Sequence, residues 1–247
     1  MRGVSDVCGC FPTGLPYPGI AQLVRTTLLG VVQELDASLP WVAHPIVMID
    51  TETTGRKASE DRIIEIAIVK GRDGEILSRD SWLINPGCPI PEDSSAVHGI
   101  LDEHVESKPF FADVCDEIIE KLEGAIPAAY NASFDREFLL AEIQRLQRHD
   151  LRDVPAIRDR VVWIDPLVWA RHLFQEEKSR KLSAMAELLG VEMERAHRAT
   201  DDASAALRLM YKMAEQNRVP SAYGEFIQEQ VRLSRIQGEA RSGWRRS

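Results

Sequence analysis

Asp50 and Glu52 are the first residues of this chain whose types and spacing could do chemistry together. They sit in the stretch Pro45-Ile-Val-Met-Ile-Asp-Thr-Glu-Thr-Thr-Gly55. The apolar run Ile46 to Ile49 leads straight into them, and Gly55 ends it. A short unbroken apolar segment between Pro and Gly reads as a strand buried on both faces. Side chains alternate along a strand, so Asp50 and Glu52 point the same way. Two carboxylates side by side at the end of a buried strand repel and are costly to desolvate. A divalent cation between them removes both costs, and oxygen ligands suit Mg²⁺ or Mn²⁺. Taken alone, Asp-x-Glu also fits a strand that simply ends in a polar turn.

Three more polar residues join them. Asp135 opens the segment Ser133-Phe-Asp-Arg-Glu-Phe-Leu-Leu-Ala-Glu-Ile143, and Leu139, Ile143 and Leu146 share its helical face. A helix N-terminus favours an acid, but that does not explain an acid on the apolar stripe. Asp202 repeats the pattern, with Ala206, Leu209 and Met213 on its face. Its neighbour Asp201 falls with Ala205, Arg208 and Lys212, on the solvent side. His197 lies five residues before Asp202 in the loop Arg195-Ala-His-Arg-Ala-Thr200. Its ordinary pKa near neutrality suits a general base. Four converging carboxylates call for a pair of divalent cations. Such a site, about 3.5–4 Å across, serves in-line attack of water on a phosphodiester.

The elements that must position these groups follow from periodicity. After the first strand, Arg62 to Lys70 reads as a second, with Ile64, Ile66 and Ile68 on one face. Arg72-Asp-Gly-Glu75 is a hairpin turn, and Ile76 to Asn85 a third strand. The period then lengthens to about 3.6. Phe111, Val114, Ile118 and Leu122 line a helix beginning near Pro109. Ala125 to Tyr130 and Val161 to Ile164 read as strands. Ser133 to Gln147, Leu182 to Leu189 and Thr200 to Glu215 read as helices, with Gly190 closing the second. An α/β fold follows: a mixed five-stranded sheet flanked by helices. Residues 1–44 read as an N-terminal extension with a helix over Ile20 to Leu39, and residues 45–215 as the main domain. Residues 216–247 read as a tail, disordered and basic at its end.

The formal net charge of −9 argues against a protein that coats nucleic acid through a broad basic surface. It leaves room for an enzyme that holds one end of a strand in a cleft. No apolar run approaches the roughly 20 residues of a membrane span, and the start lacks the pattern of a secretory signal. Cys8, Cys10, Cys88 and Cys115 are scattered and form no zinc-site spacing. Reduced thiols and a cytoplasmic location are expected.

With these pieces in place the chain resembles the DEDDh, or DnaQ-like, 3′–5′ exonucleases, which include the proofreading epsilon subunit of bacterial DNA polymerase III. The matching pieces are Ile49-Asp-Thr-Glu-Thr-Thr-Gly55, Val97-His-Gly-Ile100, Asn131-Ala-Ser-Phe-Asp135 and His197-Arg-Ala-Thr-Asp-Asp202, in the family's order. The resemblance implies an RNase H-like sheet, two Mg²⁺ or Mn²⁺ ions, and release of nucleoside monophosphates from the 3′ end of a single-stranded nucleic acid, DNA favoured. It assigns Asp50, Glu52, Asp135 and Asp202 to the metals and His197 to activating water. Thr53, His98 and Asn131 stand where the family holds the terminal nucleotide or shapes the site. His197, in place of a tyrosine, sets the chain apart from the oligoribonuclease-type members. Tyr130 stands where histidine is frequent. A DNA polymerase subunit is an expected partner; a membrane is not.

The same residues admit other readings. An RNA-processing exonuclease of this family would use the same site. A non-catalytic polymerase-associated subunit has no use for four converging acids. A phosphatase of the haloacid dehalogenase type would use Asp50 as nucleophile and leaves His197 and Asp202 unexplained. Asp165, followed by Pro166, reads as a helix cap, and Glu65 as a satisfied structural acid. Trp41, Trp82, Trp163 and Trp169 read as packing residues. Gln230-Val-Arg-Leu233 is a weak match to a sliding-clamp peptide, because no aromatic follows it.

Overall fold

The structure, a computed structural model, describes residues 30–193 and 198–244. Strands β1 (Ile46–Thr53), β2 (Ile63–Arg72) and β3 (Glu75–Leu83) form an antiparallel meander. Strand β4 (Ile126–Ala129) pairs parallel with β1, which gives the order β3-β2-β1-β4. The β2–β3 turn has two residues, Asp73 and Gly74, both at positive φ (52° and 87°). That is the backbone hand a tight hairpin needs.

The helices are α1 (Glu92–His98), α2 (Asp102–Val105), α3 (Phe111–Leu122), α4 (Ser133–Arg145), α5 (Pro166–Leu173), α6 (Leu182–Leu189), α7 (Ala199–Ala214) and α8 (Tyr223–Trp244). They cover both faces of the sheet. Ile46 and Met48 of β1, with Ala67 and Val69 of β2, share one core with α5, α7 and α8. Val47, Ile49, Ile66 and Ile68 share the other with α3 and α4. Period-two alternation in β1 therefore sends Asp50 and Glu52 toward α7, and Thr51 toward α4.

Three expectations are corrected. The sheet has four strands among the described residues, not five. The segment predicted as a fifth makes single parallel bridges instead, Ala128 to Ile164 and Gly30 to Val161. Pro127 has no N–H to extend that ladder, and Asp165-Pro166 turns the chain at once into α5. The helix expected over Ile20 to Leu39 is not found in its described part, where residues 30–39 form turns; its first ten residues lie outside the described ones.

The C-terminal stretch is helical, not a disordered end. Tyr223, Phe226 and Ile227 of α8 are buried, and Phe226 packs against Trp41 and Trp169, with ring centroids 4.8 Å apart in both pairs. Gln230 is buried too. Its Oε1 accepts from Asp165 N and Trp169 Nε1, and its Nε2 donates to the Trp163 carbonyl. That leaves no exposed clamp peptide at Gln230 to Leu233.

Candidate active site

β1 emerges from the core at Asp50, and a register shift against β2 falls between Glu52 and Thr53. Such an irregularity at a strand end bends it and re-aims its side chains. Beyond it, Asp61 accepts the Lys57 N–H and occupies the space where a Cβ on Gly55 would sit. Any larger residue there would have to displace the Asp61 carboxylate. Ser94 of α1 donates its hydroxyl to the Thr54 carbonyl, which fixes α1 against the same strand end.

Three carboxylates meet on this side of the sheet. Asp50, Glu52 and Asp202 each offer an oxygen, and all three lie within 4.8 Å of one another. Asp201 faces outward into a small hollow with Arg79, Ser204 and Arg208. Asp135 approaches from the other side: its Oδ1 accepts both the Thr51 N–H (3.0 Å) and the Thr51 hydroxyl (2.9 Å). It is buried and close enough to Asp50 for their charges to interact. His197 lies outside the described residues.

Thr53, His98 and Asn131 line one cleft of about 870 Å³ together with Glu52 and Phe134. His98 Nδ1 accepts the Ile100 N–H at 3.0 Å, which leaves the ring proton on Nε2. The Thr53 hydroxyl donates to the Gly55 carbonyl. Asn131 is exposed with φ at 74°, a left-handed conformation tolerated by Asn and held here by its N–H bond to Asp165.

The electrostatics are those of carboxylates crowded together. Burial first, then the carboxylates of Asp135, Glu52, Asp202 and Glu65, push Asp50 well above the usual carboxylate range. Burial and the charges of Asp202, Glu65 and Asp135 push Glu52 up to about 8, against a pull downward from Arg198. Burial lifts Asp135 to about 7 even though the Thr51 bonds favour its charged form. Hard oxygen donors crowded so that neighbouring carboxylates raise Asp50 and Glu52 fit a divalent cation, whose charge reverses the penalty.

Two supporting residues escaped the sequence reading. Glu65 pairs directly across from Glu52 in the β1–β2 register, so it shares the site's face. It is buried; one oxygen takes a 3.4 Å bond from Arg198 and the other makes no hydrogen bond. It is therefore a further acid beside the cluster, not a satisfied one. Asp165 caps α5 through Leu167 N, as expected, but also accepts the N–H groups of Asn131 and Ala132. It thereby holds the turn that delivers Asp135. Cross-strand register was the signal for Glu65. No local signal points from Asp165 to a partner 34 residues away.

The half-buried acidic cluster and cleft on this mixed sheet define a class, and comparison with known proteins agrees. The exonuclease (RNase T) family model matches residues 47–210, so the chain belongs to the exonuclease family. The DNA polymerase III subunit epsilon of Treponema pallidum is 36% identical over 68% of this chain and 77% of its own length. Among solved structures, Exonuclease X in complex with 5′ overhanging duplex DNA matches at TM-score 0.57 and 25% identity, over 74% of this chain and 99% of that one. The nuclease domain of 3′hExo, a DEDDh family member bound to rAMP, matches in fold at TM-score 0.59 and 20% identity, over 71% of this chain and 94% of that one. The chain also matches DNA polymerase III chains of the PolC type, and spans only 11% to 14% of their length. The family resemblance drawn from the four motifs is thus the family to which the chain belongs.

Proposed function

We propose that this chain hydrolyses the terminal phosphodiester bond at the 3′ end of a single-stranded nucleic acid, DNA in preference to RNA, and releases nucleoside monophosphates. The observation that carries this reading is the cluster of Asp50, Glu52 and Asp202, with carboxylate oxygens within 4.8 Å of one another beside an open cleft. In this reading Asp50, Glu52, Asp135 and Asp202 would hold the divalent cations. Mg²⁺ and Mn²⁺ both suit the donors. Such a cation pair supplies, when bound, activation of water at neutral pH and neutralisation of the charge that develops on the phosphate.

The chain's own residues supply the rest. His197 takes the proton from the attacking water. Thr53, His98 and Asn131 orient the terminal nucleotide in the cleft they line. Thr51 fixes the Asp135 carboxylate through two hydrogen bonds. Support for DNA comes from the likeness to the epsilon subunit, and the same likeness makes a DNA polymerase subunit the proposed partner and the cytoplasm the proposed setting.

The test is a gel time course on matched 5′-labelled single-stranded DNA and RNA with Mg²⁺, Mn²⁺ or EDTA, with Asp50→Ala as control. A ladder that shortens from the 3′ end, needs metal and is lost in the variant supports the reading. Faster cutting of RNA would overturn the substrate preference. No cleavage of either polymer with metal supplied would overturn the activity.

A further inference from the structure

A polymer whose 3′ end lies in the catalytic cleft must lead its remaining phosphates somewhere. The cleft itself offers little: among the described residues Glu52, Asp61 and Asp93 line it with Arg56 as the one Lys or Arg. With a net charge of −9, most of the surface repels a polyanion.

A second groove, of about 580 Å³, has the opposite character. Arg171, Arg180 and Lys181 line it with Tyr130, Asn131 and Leu182, and no acid among the described residues does. Asn131 lines both concavities, so groove and cleft meet at that residue. The basic loop is also held in place. Arg180 Nη2 donates to the carbonyls of Phe174 and Gln175, which folds the loop back on the end of α5. The Tyr130 hydroxyl donates to the Arg180 carbonyl and ties the loop to the end of β4. A loop backbone fixed before binding loses less freedom on binding.

We propose that this groove grips the backbone phosphates of the strand being degraded, on the 5′ side of the reacting nucleotide. The proposal rests on the exonuclease reading above. It names Arg171 and Lys181 as the phosphate contacts and Arg180 as the residue that shapes the loop. Phosphate contacts add affinity without reading sequence.

The test uses the full chain and the pair Arg171→Gln, Lys181→Gln, with Arg180 kept because it closes the loop. Two probes separate cleft from groove. The p-nitrophenyl ester of thymidine 5′-monophosphate with Mn²⁺ fills only the cleft. A labelled DNA strand of roughly 15 nucleotides, bound in Ca²⁺, is long enough for both. Ester turnover is expected to stay within about twofold of the parent, while Kd for the strand rises about tenfold at low salt. The slope of log K against log salt should fall by about 1.4, at about 0.7 per lost phosphate contact. Lys181→Gln alone, at an exposed position, should give about half that change and guards against a folding defect. Unchanged strand affinity and salt slope would overturn the proposal. So would a loss confined to duplex DNA with a recessed 3′ end, which would assign the groove to the complementary strand. If the parent chain failed to turn over the ester but the strand-binding difference persisted, the exonuclease reading would fail and the groove would stand.

Discussion

Thr51 donates both its backbone N–H and its hydroxyl to one carboxylate oxygen of Asp135, so a residue between Asp50 and Glu52 on β1 fixes the acid that arrives on α4. Its side chain points to the opposite sheet face from theirs. Thr51→Val keeps the shape and the N–H but removes the hydroxyl. The loss of one hydrogen bond to a buried carboxylate costs about 1–2 kcal/mol of stability. Exonuclease kcat is expected to fall about tenfold with little change in KM, because the bond sets geometry and does not bind substrate. Steady-state kinetics beside a melting curve separate the two effects.

The adjacent acids Asp201 and Asp202 should differ sharply. Asp202 stands with Asp50 and Glu52, whereas Asp201 lines an outer hollow with Arg79 and Arg208. Asp202→Asn is expected to lower turnover by about a thousandfold or more with the fold intact by circular dichroism. Asp201→Asn should stay within about threefold of the parent. The reverse ranking would refute the assignment of Asp202.

The cation-free protein should lose stability as pH rises. Glu52 titrates at about 8 in the folded chain but near 4.3 when unfolded. Between those values the folded state binds more protons than the unfolded, so stability falls as pH climbs through the window. The loss is complete once pH passes the folded value, and Asp50, also raised, adds the same sign. In EDTA the melting temperature should drop between about pH 5 and pH 8, and Mn²⁺ should restore it by neutralising the cluster. Glu52→Gln should flatten the profile. A melting temperature that is level or rises with pH in EDTA would contradict this account.

Arg62 and Glu142 pair through two bonds, Nε to Oε1 at 2.8 Å and Nη2 to Oε2 at 2.9 Å, and Glu142 also accepts the Ile63 N–H. Glu142 is buried, so this contact anchors α4 to the start of β2. Glu142→Ala leaves that guanidinium and an N–H without their acceptor and should cost about 3 kcal/mol. Urea unfolding reads the change, and Arg62→Ala combined with it should cost less than the sum of the two single changes.

Ending the chain after Pro220 removes Tyr223, Phe226 and Ile227, all fully buried. At about 2 kcal/mol each, their loss approaches the whole stability of an ordinary domain. The shortened chain should therefore be insoluble or melt far below the full one. An unchanged melting temperature would mean that α8 is dispensable.

Much of this molecule was legible along the chain because its signals are local. The apolar run before Asp50, the Asp73-Gly74 turn, and the stripes that put Asp135 and Asp202 on buried helix faces all follow from period two or period 3.6. The sequence by itself therefore determined the α/β class and pointed to Asp50, Glu52 and Asp202, whose oxygens the structure brings within 4.8 Å of one another.

Only the tertiary structure decided what depends on partners remote in sequence. Glu65 joins the acidic cluster because strand register sets it across from Glu52. Asp165 reaches from the start of α5 to the turn before Asp135. The last helix reads as a solvated end because its charges dominate its composition, yet its apolar residues have a ready surface in Trp41 and Trp169. Local pattern states which face of an element is apolar. Which surface that face meets, and which polar groups are carried together when it does, depends on how the elements pack.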